Sequence, residues 1–111
     1  MKIQCECGSL IHDGTDGLGH KGHIIPDRRW NELADAIDDA IEKGEAPRLR
    51  EAAAMRLRML MNDMARTVWQ CNACGRLYVE NSGRHLRAFE PAGENDVIGI
   101  LAGGTKAGWY K

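Results

Sequence analysis

The arrangement of this chain is set by the residues Trp69-Gln70-Cys71-Asn72-Ala73-Cys74-Gly75-Arg76-Leu77-Tyr78. A Cys-x-x-Cys-Gly turn lies here between two apolar runs that favour β-structure, and a tight reverse turn points both sulfurs at one spot. Gly75 follows the second cysteine, where the backbone commonly takes a positive φ that a side chain resists. The stretch therefore predicts one half of a tetrahedral metal site.

The other half of this site is predicted at Cys5-Glu6-Cys7-Gly8. The first residues contain no apolar run of signal-peptide length, so we expect a cytoplasmic protein whose cysteines stay reduced. Four cysteines in two close pairs then indicate metal ligands, not disulfides. We predict a structural zinc site, with iron as a minor alternative because thiolates alone do not distinguish the two metals. Its ligands are Cys5, Cys7, Cys71 and Cys74.

The spacing Cys5-x-Cys7 is one residue shorter than the usual Cys-x-x-Cys, and this leaves an alternative ligand set open. A histidine could then replace one thiolate, and the candidates are His12, His20, His23 and His85. A redox-active Cys-x-x-Cys is a further alternative, but it would need a helix to start after the motif. Leu77-Tyr78-Val79 favours a strand there instead.

Two helices are predicted between the cysteine pairs. Asp27 is a suitable N-cap, and residues 28–43 have apolar side chains at helical spacing, with carboxylates opposite them. Pro47 opens a second helix that we expect to reach about residue 67. The short connection between them predicts an antiparallel helical hairpin.

Each helix has a predicted buried stripe. The first stripe comprises Trp30, Leu33, Ala34, Ile37, Ala40 and Ile41, and the second Leu49, Ala53, Leu57, Leu60 and Met64. Met55 and Met59 form a further apolar strip on the second helix, for which burial is the favoured interpretation.

Short β-hairpins are predicted on either side of the helices. Residues 2–4 and 9–13 form the first hairpin, and residues 76–80 and 84–89 form another across Asn81-Ser82-Gly83. Residues 12–23 contain four glycines and are predicted to be an irregular loop.

These elements predict an α+β fold, in which small β-hairpins of a metal ribbon carry an inserted two-helix hairpin. We expect a single domain over residues 1–111, without a membrane span. Its ribbon halves are residues 1–25 and 67–91, its helical insertion is 27–67, and its C-terminal tail is 92–111.

The motifs Cys5-x-Cys7-Gly8 and Cys71-x-x-Cys74-Gly75, followed by Arg76-Leu77-Tyr78-Val79, resemble the zinc-ribbon and rubredoxin-like group of small metal-bound β folds. The resemblance covers the two ends of the chain and not the helical hairpin. The whole chain also resembles small uncharacterised bacterial proteins with split ribbons. These resemblances imply a metal and a fold, and they imply no particular activity.

The function predicted from the sequence is that of a non-enzymatic, zinc-stabilised module that binds another protein. Four thiolates leave no open coordination position, so the zinc is not expected to be catalytic. The chain would act as an immunity or antitoxin-type protein, or as an adaptor. Its partner would offer a basic cleft to an acidic helix face. The carboxylates predicted to make these contacts are Glu32, Asp35, Asp39 and Glu42.

Two alternative functions belong to other classes. A nucleic-acid-binding ribbon, as in a transcription or regulatory factor, would use Arg76, Tyr78, Arg84, Arg87 and Phe89. The near balance of 15 Lys and Arg against 16 Asp and Glu argues against it, because the chain has no overall basic field.

The second alternative is a small metal-dependent hydrolase that uses His20 and His23 with Asp13 or Asp16. The sequence contains no nucleophile elbow, phosphate loop or His-Glu-x-x-His motif in its support. The oligomeric state is not predicted by the sequence.

Overall fold

A computed structural model of the chain describes residues 1–42, 47–81, 83, 85–93 and 98–102. The described residues form an α+β fold with two helices and two antiparallel sheets, as the sequence predicts. The strands are β1 Lys2–Gln4, β2 Leu10–His12, β3 Lys21–Ile24, β4 Arg66–Gln70, β5 Leu77–Glu80 and β6 Leu86–Phe89. The helices are α1 Asp27–Glu42 and α2 Pro47–Met64.

The chain divides into two compact units. One combines Met1–His23 with the described residues from Thr67 onward, and the other is Ile24–Arg66. The single domain expected from the sequence stays a prediction, and each unit is described by itself.

The first unit contains both sheets. Strands β1 and β2 form a two-stranded sheet in which Ile3 pairs with Ile11. The larger sheet has the order β3-β4-β5-β6, and Trp69 pairs with Tyr78 across β4 and β5. These four side chains are buried together with Cys5 and Cys71, so the unit's small core surrounds the cysteine turns.

Strand β3 is a difference from the sequence prediction, which treats residues 12–23 as an irregular loop. The structure forms β3 at Lys21–Ile24, beside β4, and the Gln70 N–H donates to the His20 carbonyl at 2.8 Å. A Cβ at Gly22 would lie 3.5 Å from Val68, an ordinary van der Waals distance, so Gly22 packs beside β4 without an unusually close approach. The strand was missed because glycine and polar residues hide its pattern.

Strands β5 and β6 form the predicted hairpin, over somewhat shorter ranges. The side-chain oxygen of Asn81 accepts hydrogen bonds from the N–H groups of Gly83 and His85 at 2.9 and 3.1 Å. Leu77 pairs with Phe89 at the other end of the hairpin. The predicted turn residue Ser82 lies outside the described residues.

The second unit contains the two helices, which pack against each other. Arg29, near the start of α1, forms a 3.2 Å ion pair with Asp63, near the end of α2, so the helices are antiparallel. Helix α2 ends at Met64, earlier than predicted, because the β-branched residues Thr67 and Val68 belong to β4.

The burial of the helices is a correction to the predicted stripes. Leu33, Ala53 and Met64 are buried, as expected. A group of predicted core residues and the two strip methionines are instead exposed: Trp30, Ala34, Ile37, Ile41, Leu49, Met55 and Met59. Two helices share only one interface, which covers a narrow band of each and leaves the remaining apolar positions open. Within the described residues, neither helix is long and apolar enough to cross a membrane.

Candidate metal centre

The first cysteine turn follows β1 and is closed by two backbone hydrogen bonds. The Cys5 N–H donates to the Ser9 carbonyl at 2.8 Å, and the Gly8 N–H donates to the Cys5 carbonyl at 2.9 Å. Gly8 has a φ of 99°, a left-handed conformation that glycine adopts without strain. The turn therefore reverses the chain within a few residues and returns it to β2.

The second turn makes the same two closures between β4 and β5. The Cys71 N–H donates to the Arg76 carbonyl and the Gly75 N–H to the Cys71 carbonyl, both at 2.9 Å. The φ of Gly75 is 83°, which agrees with the sequence prediction. The shorter Cys-x-Cys spacing of the first turn thus supports equivalent hydrogen bonding with one residue fewer.

The four cysteine sulfurs meet at one point. All of them lie within 4.8 Å of one another, with 3.4 Å between Cys5 and Cys74 and 3.7 Å between Cys7 and Cys71. A tetrahedral zinc with Zn–S bonds of about 2.3 Å requires sulfurs about 3.8 Å apart, and a disulfide requires about 2.05 Å. All four cysteines are free, so their donor set and spacing fit a tetrahedral metal ion.

The cysteines differ in their exposure and acidity. Cys5 and Cys71 are buried, Cys74 is half-buried and Cys7 is exposed. Burial raises the pKa of Cys5, but hydrogen bonds from Tyr78, the Cys7 backbone and neighbouring thiols outweigh it and lower this pKa to about 6. Burial raises the pKa of Cys71 to about 11, so at neutral pH metal binding must displace its proton.

Arg76 and Tyr78 lie beside the sulfurs. The Arg76 guanidinium donates to the Cys74 sulfur at 3.4 Å and lies 3.6 Å from the carboxylates of Glu6 and Glu90. The hydrogen bond to Cys74 is the main reason that the pKa of Arg76 is raised. The Tyr78 oxygen accepts a hydrogen bond from the Glu6 N–H at 3.1 Å.

The residues of the predicted nucleic-acid face are thus distributed between two places. Arg76 and the buried Tyr78 are at the cysteine cluster, whereas Arg87 and Phe89 are exposed on β6. Arg84 lies outside the described residues. The nucleic-acid function stays a prediction.

Gln70 supports the second turn and was not identified from the sequence. It is buried, its amide donates to the Gly75 carbonyl at 3.2 Å, and its side-chain oxygen accepts from the N–H groups of Gly99 and Ile100 at 3.0 and 3.1 Å. Gln70 therefore ties the metal turn to residues 98–102. The available signal was a polar residue in an apolar strand directly before a cysteine.

Asp13, a candidate residue for the hydrolase alternative, makes structural contacts. It accepts a hydrogen bond from the indole N–H of buried Trp69 at 3.0 Å and forms a 3.0 Å ion pair with Lys21. The hydrogen bonds from Lys21 and Trp69 hold the pKa of Asp13 below its usual value.

The histidine loop contributes no ligand to the metal centre. The Nε2 atom of His20 lies 2.6 Å from the His12 carbonyl, and His23 is exposed on β3. Within the described residues, the four cysteines are the one group of three or more metal-binding side chains, and it includes none of the histidines.

The predicted acidic residues are exposed on α1. Glu32 accepts a 3.0 Å bond from Arg29, which lowers the pKa of Glu32, and Asp39 lines a groove between α1 and α2. Asp35 and Glu42 are also exposed on this helix. The four carboxylates therefore share one face, although Arg29 offsets part of its charge.

The comparisons with known proteins point to one family. No curated protein and no solved structure matches the chain. The model of one family, described as Domain of unknown function (DUF8617), matches residues 1–98. This range contains all four cysteines and both helices. The chain therefore belongs to the DUF8617 family.

Proposed function

We propose that this protein is a non-enzymatic module in which a structural zinc ion stabilises the fold and another protein is bound at the surface. The observation that carries the proposal is the meeting of four cysteine sulfurs within 4.8 Å. Four protein thiolates fill the coordination sphere of zinc and leave no position for water or substrate. The free cysteines suit a reducing compartment, so we place the protein in the cytoplasm.

The acidic face of α1 is the protein-binding surface of this proposal. Asp35 and Glu42 are exposed there, close to Asp39. Carboxylates on a rigid helix suit charge-assisted hydrogen bonds to Arg and Lys in a basic cleft. With this surface the chain would act as an immunity or antitoxin-type protein, or as an adaptor, and its partner would supply the basic cleft.

Metal analysis of the purified protein tests the first half of the proposal. We expect one zinc per chain, which is lost in the variants Cys7→Ser and Cys74→Ser. The matched control is His20→Ala with His23→Ala, which should keep its zinc because neither histidine belongs to the cysteine cluster. Protein without bound zinc, or zinc that is lost with the histidines, would contradict the proposed site.

Affinity capture from the native host, followed by mass spectrometry, tests the second half. The natural chain and the double variant Asp35→Lys with Asp39→Lys serve as baits, and the variant should lose a basic partner that the natural chain retains. Glu51→Lys is the control, because Glu51 is an exposed carboxylate on α2. A partner that the Asp35/Asp39 variant keeps would rule out the acidic face as the binding surface.

A further inference from the structure

Helix α1 has an exposed apolar stripe beside its buried contact with α2. Trp30, Ile37 and Ile41 follow i, i+7 and i+11 spacing and share one flank of the helix. Their exposed fractions are 58%, 40% and 71%, although Leu33 next to them is 8% exposed. Large apolar side chains aligned in this way usually mark an interaction surface.

Helix α2 extends this stripe on the same side of the hairpin. The groove on one side is lined by Asp39 of α1 and Asp63 of α2. Ile37 and Met61 each lie two residues before one of these aspartates, so their side chains point about 160° away from them. Met61 is 43% exposed. Trp30, Ile37, Ile41 and Met61 thus form one surface, which we call the apolar face.

The charges of the two helices are complementary. Helix α1 carries six carboxylates against two arginines, and α2 carries four arginines against two carboxylates. An acidic helix like α1 on another molecule would therefore be repelled by α1 and attracted by α2. The best partner for this hairpin is therefore one with an acidic and a basic helix in the same order.

A second copy of the chain has this pattern and an identical apolar face. We propose that two copies associate through their apolar faces to form an antiparallel four-helix bundle. A two-fold axis parallel to the helices places each α1 on the partner's α2, which buries the apolar face and opposes unlike charges. Asp35 and Asp39 point away from this face, so dimerisation leaves the proposed acidic surface accessible.

The edges of the apolar face carry charges that fit this arrangement. Asp38 precedes Ile41 by one helical turn, and Arg58 precedes Met61 by one turn, so each lies at the outer edge of the face. In the proposed dimer, Asp38 lies along the same edge as the partner's Arg58. If α1 packed on α1, Asp38 would instead approach a second Asp38.

Sedimentation analysis of the full chain over a concentration series tests the association. We expect a dimer for the natural protein and about a tenfold or greater weakening for Ile41→Glu, because this exposed isoleucine becomes buried. Met59→Glu, equally exposed but on the groove side of α2, should dimerise like the natural chain. A natural protein that stays monomeric, or a dimer indifferent to Ile41→Glu, would overturn the proposal.

Charge exchange tests the order of the helices. Asp38→Arg and Arg58→Glu should each weaken the dimer several-fold, because each places like charges together, and the double variant should recover most of the affinity. Helical circular dichroism and zinc content should stay unchanged in every variant, which separates association from folding and from the metal site. Absence of recovery in the double variant would overturn the α1-on-α2 arrangement.

Discussion

The guanidinium of Arg76 lies between the Cys74 sulfur and the carboxylates of Glu6 and Glu90. Four thiolates around Zn²⁺ leave an excess of negative charge, and a nearby cation with an N–H donor reduces it. The two carboxylates are largely exposed, so these ion pairs contribute little to the position of the cation. Arg76 therefore supports the metal centre without being a ligand.

Replacing Arg76 with Met should weaken zinc binding about 10- to 100-fold, the range found when an outer partner of a metal ligand is lost. Met keeps most of the apolar stem and removes both the charge and the donor. Competition with a chromophoric chelator measures the affinity. Arg87→Met, on exposed β6, is the control and should bind zinc normally. Unchanged affinity in Arg76→Met would show that the cation does not support the site.

Asp13 makes a pH-dependent contribution to stability. Its folded pKa is below the unfolded value, so this contribution is present above the unfolded pKa of about 3.9 and is lost as the pH falls through the folded pKa. We expect Asp13→Asn to have a lower free energy of unfolding than the natural protein at pH 7. This difference should shrink as the pH falls below about 4. Denaturant unfolding at a series of pH values measures both effects.

The control for this titration is Asp16→Asn, since Asp16 is an exposed carboxylate three residues along the same loop. At pH 7 it should unfold like the natural protein, because the Asp16 side chain is exposed. A stability difference between Asp13→Asn and the natural protein that did not change with pH would assign the role of Asp13 to packing alone.

At the scale of elements, the cysteine turns depend on two left-handed glycines. A Cβ at Gly8 would meet no atom within 4 Å, so a substitution there changes only the backbone preference at its φ of 99°. Gly8→Ala should lower the free energy of unfolding by roughly 1–2 kcal/mol. Gly14 also has open space around it and has no positive φ, so Gly14→Ala should cause no loss. Equal stability of the two variants in denaturant unfolding would contradict this role of Gly8.

The elements also show where sequence reasoning works. The cysteine turns were predictable because their spacing and the following glycines are local features of the chain. The contacts of Gln70 were not, since its side chain reaches Gly99 and Ile100, far along the sequence. Strand β3 depends in the same way on pairing with β4. Helical periodicity identifies the apolar side of α1, but it does not show whether another element covers that side. Ile41 is therefore predicted to be buried, whereas the structure exposes it.

At the scale of the whole molecule, the unit that holds both sheets has a small core of its own. Ile3, Ile11, Trp69 and Tyr78 pack around the cysteines, and among the described residues of this unit few other side chains are buried with them. Strands of three to five residues cannot bury much apolar surface. The metal ion is thus the largest expected contribution to this unit's stability, because structural zinc contributes on the order of 10 kcal/mol in zinc peptides.

Removing the metal should therefore unfold this unit. We expect a strong chelator to make residues 1–23 and the β4–β6 region susceptible to proteolysis, and added Zn²⁺ to restore resistance. Mg²⁺ is the matched control and should restore nothing, since it prefers oxygen ligands to thiolates. Cleavage sites identified by mass spectrometry report which unit has opened. If the fully metal-free protein were digested no faster than the zinc-loaded protein, the small core would be sufficient by itself and the four cysteines would need a role other than structural support.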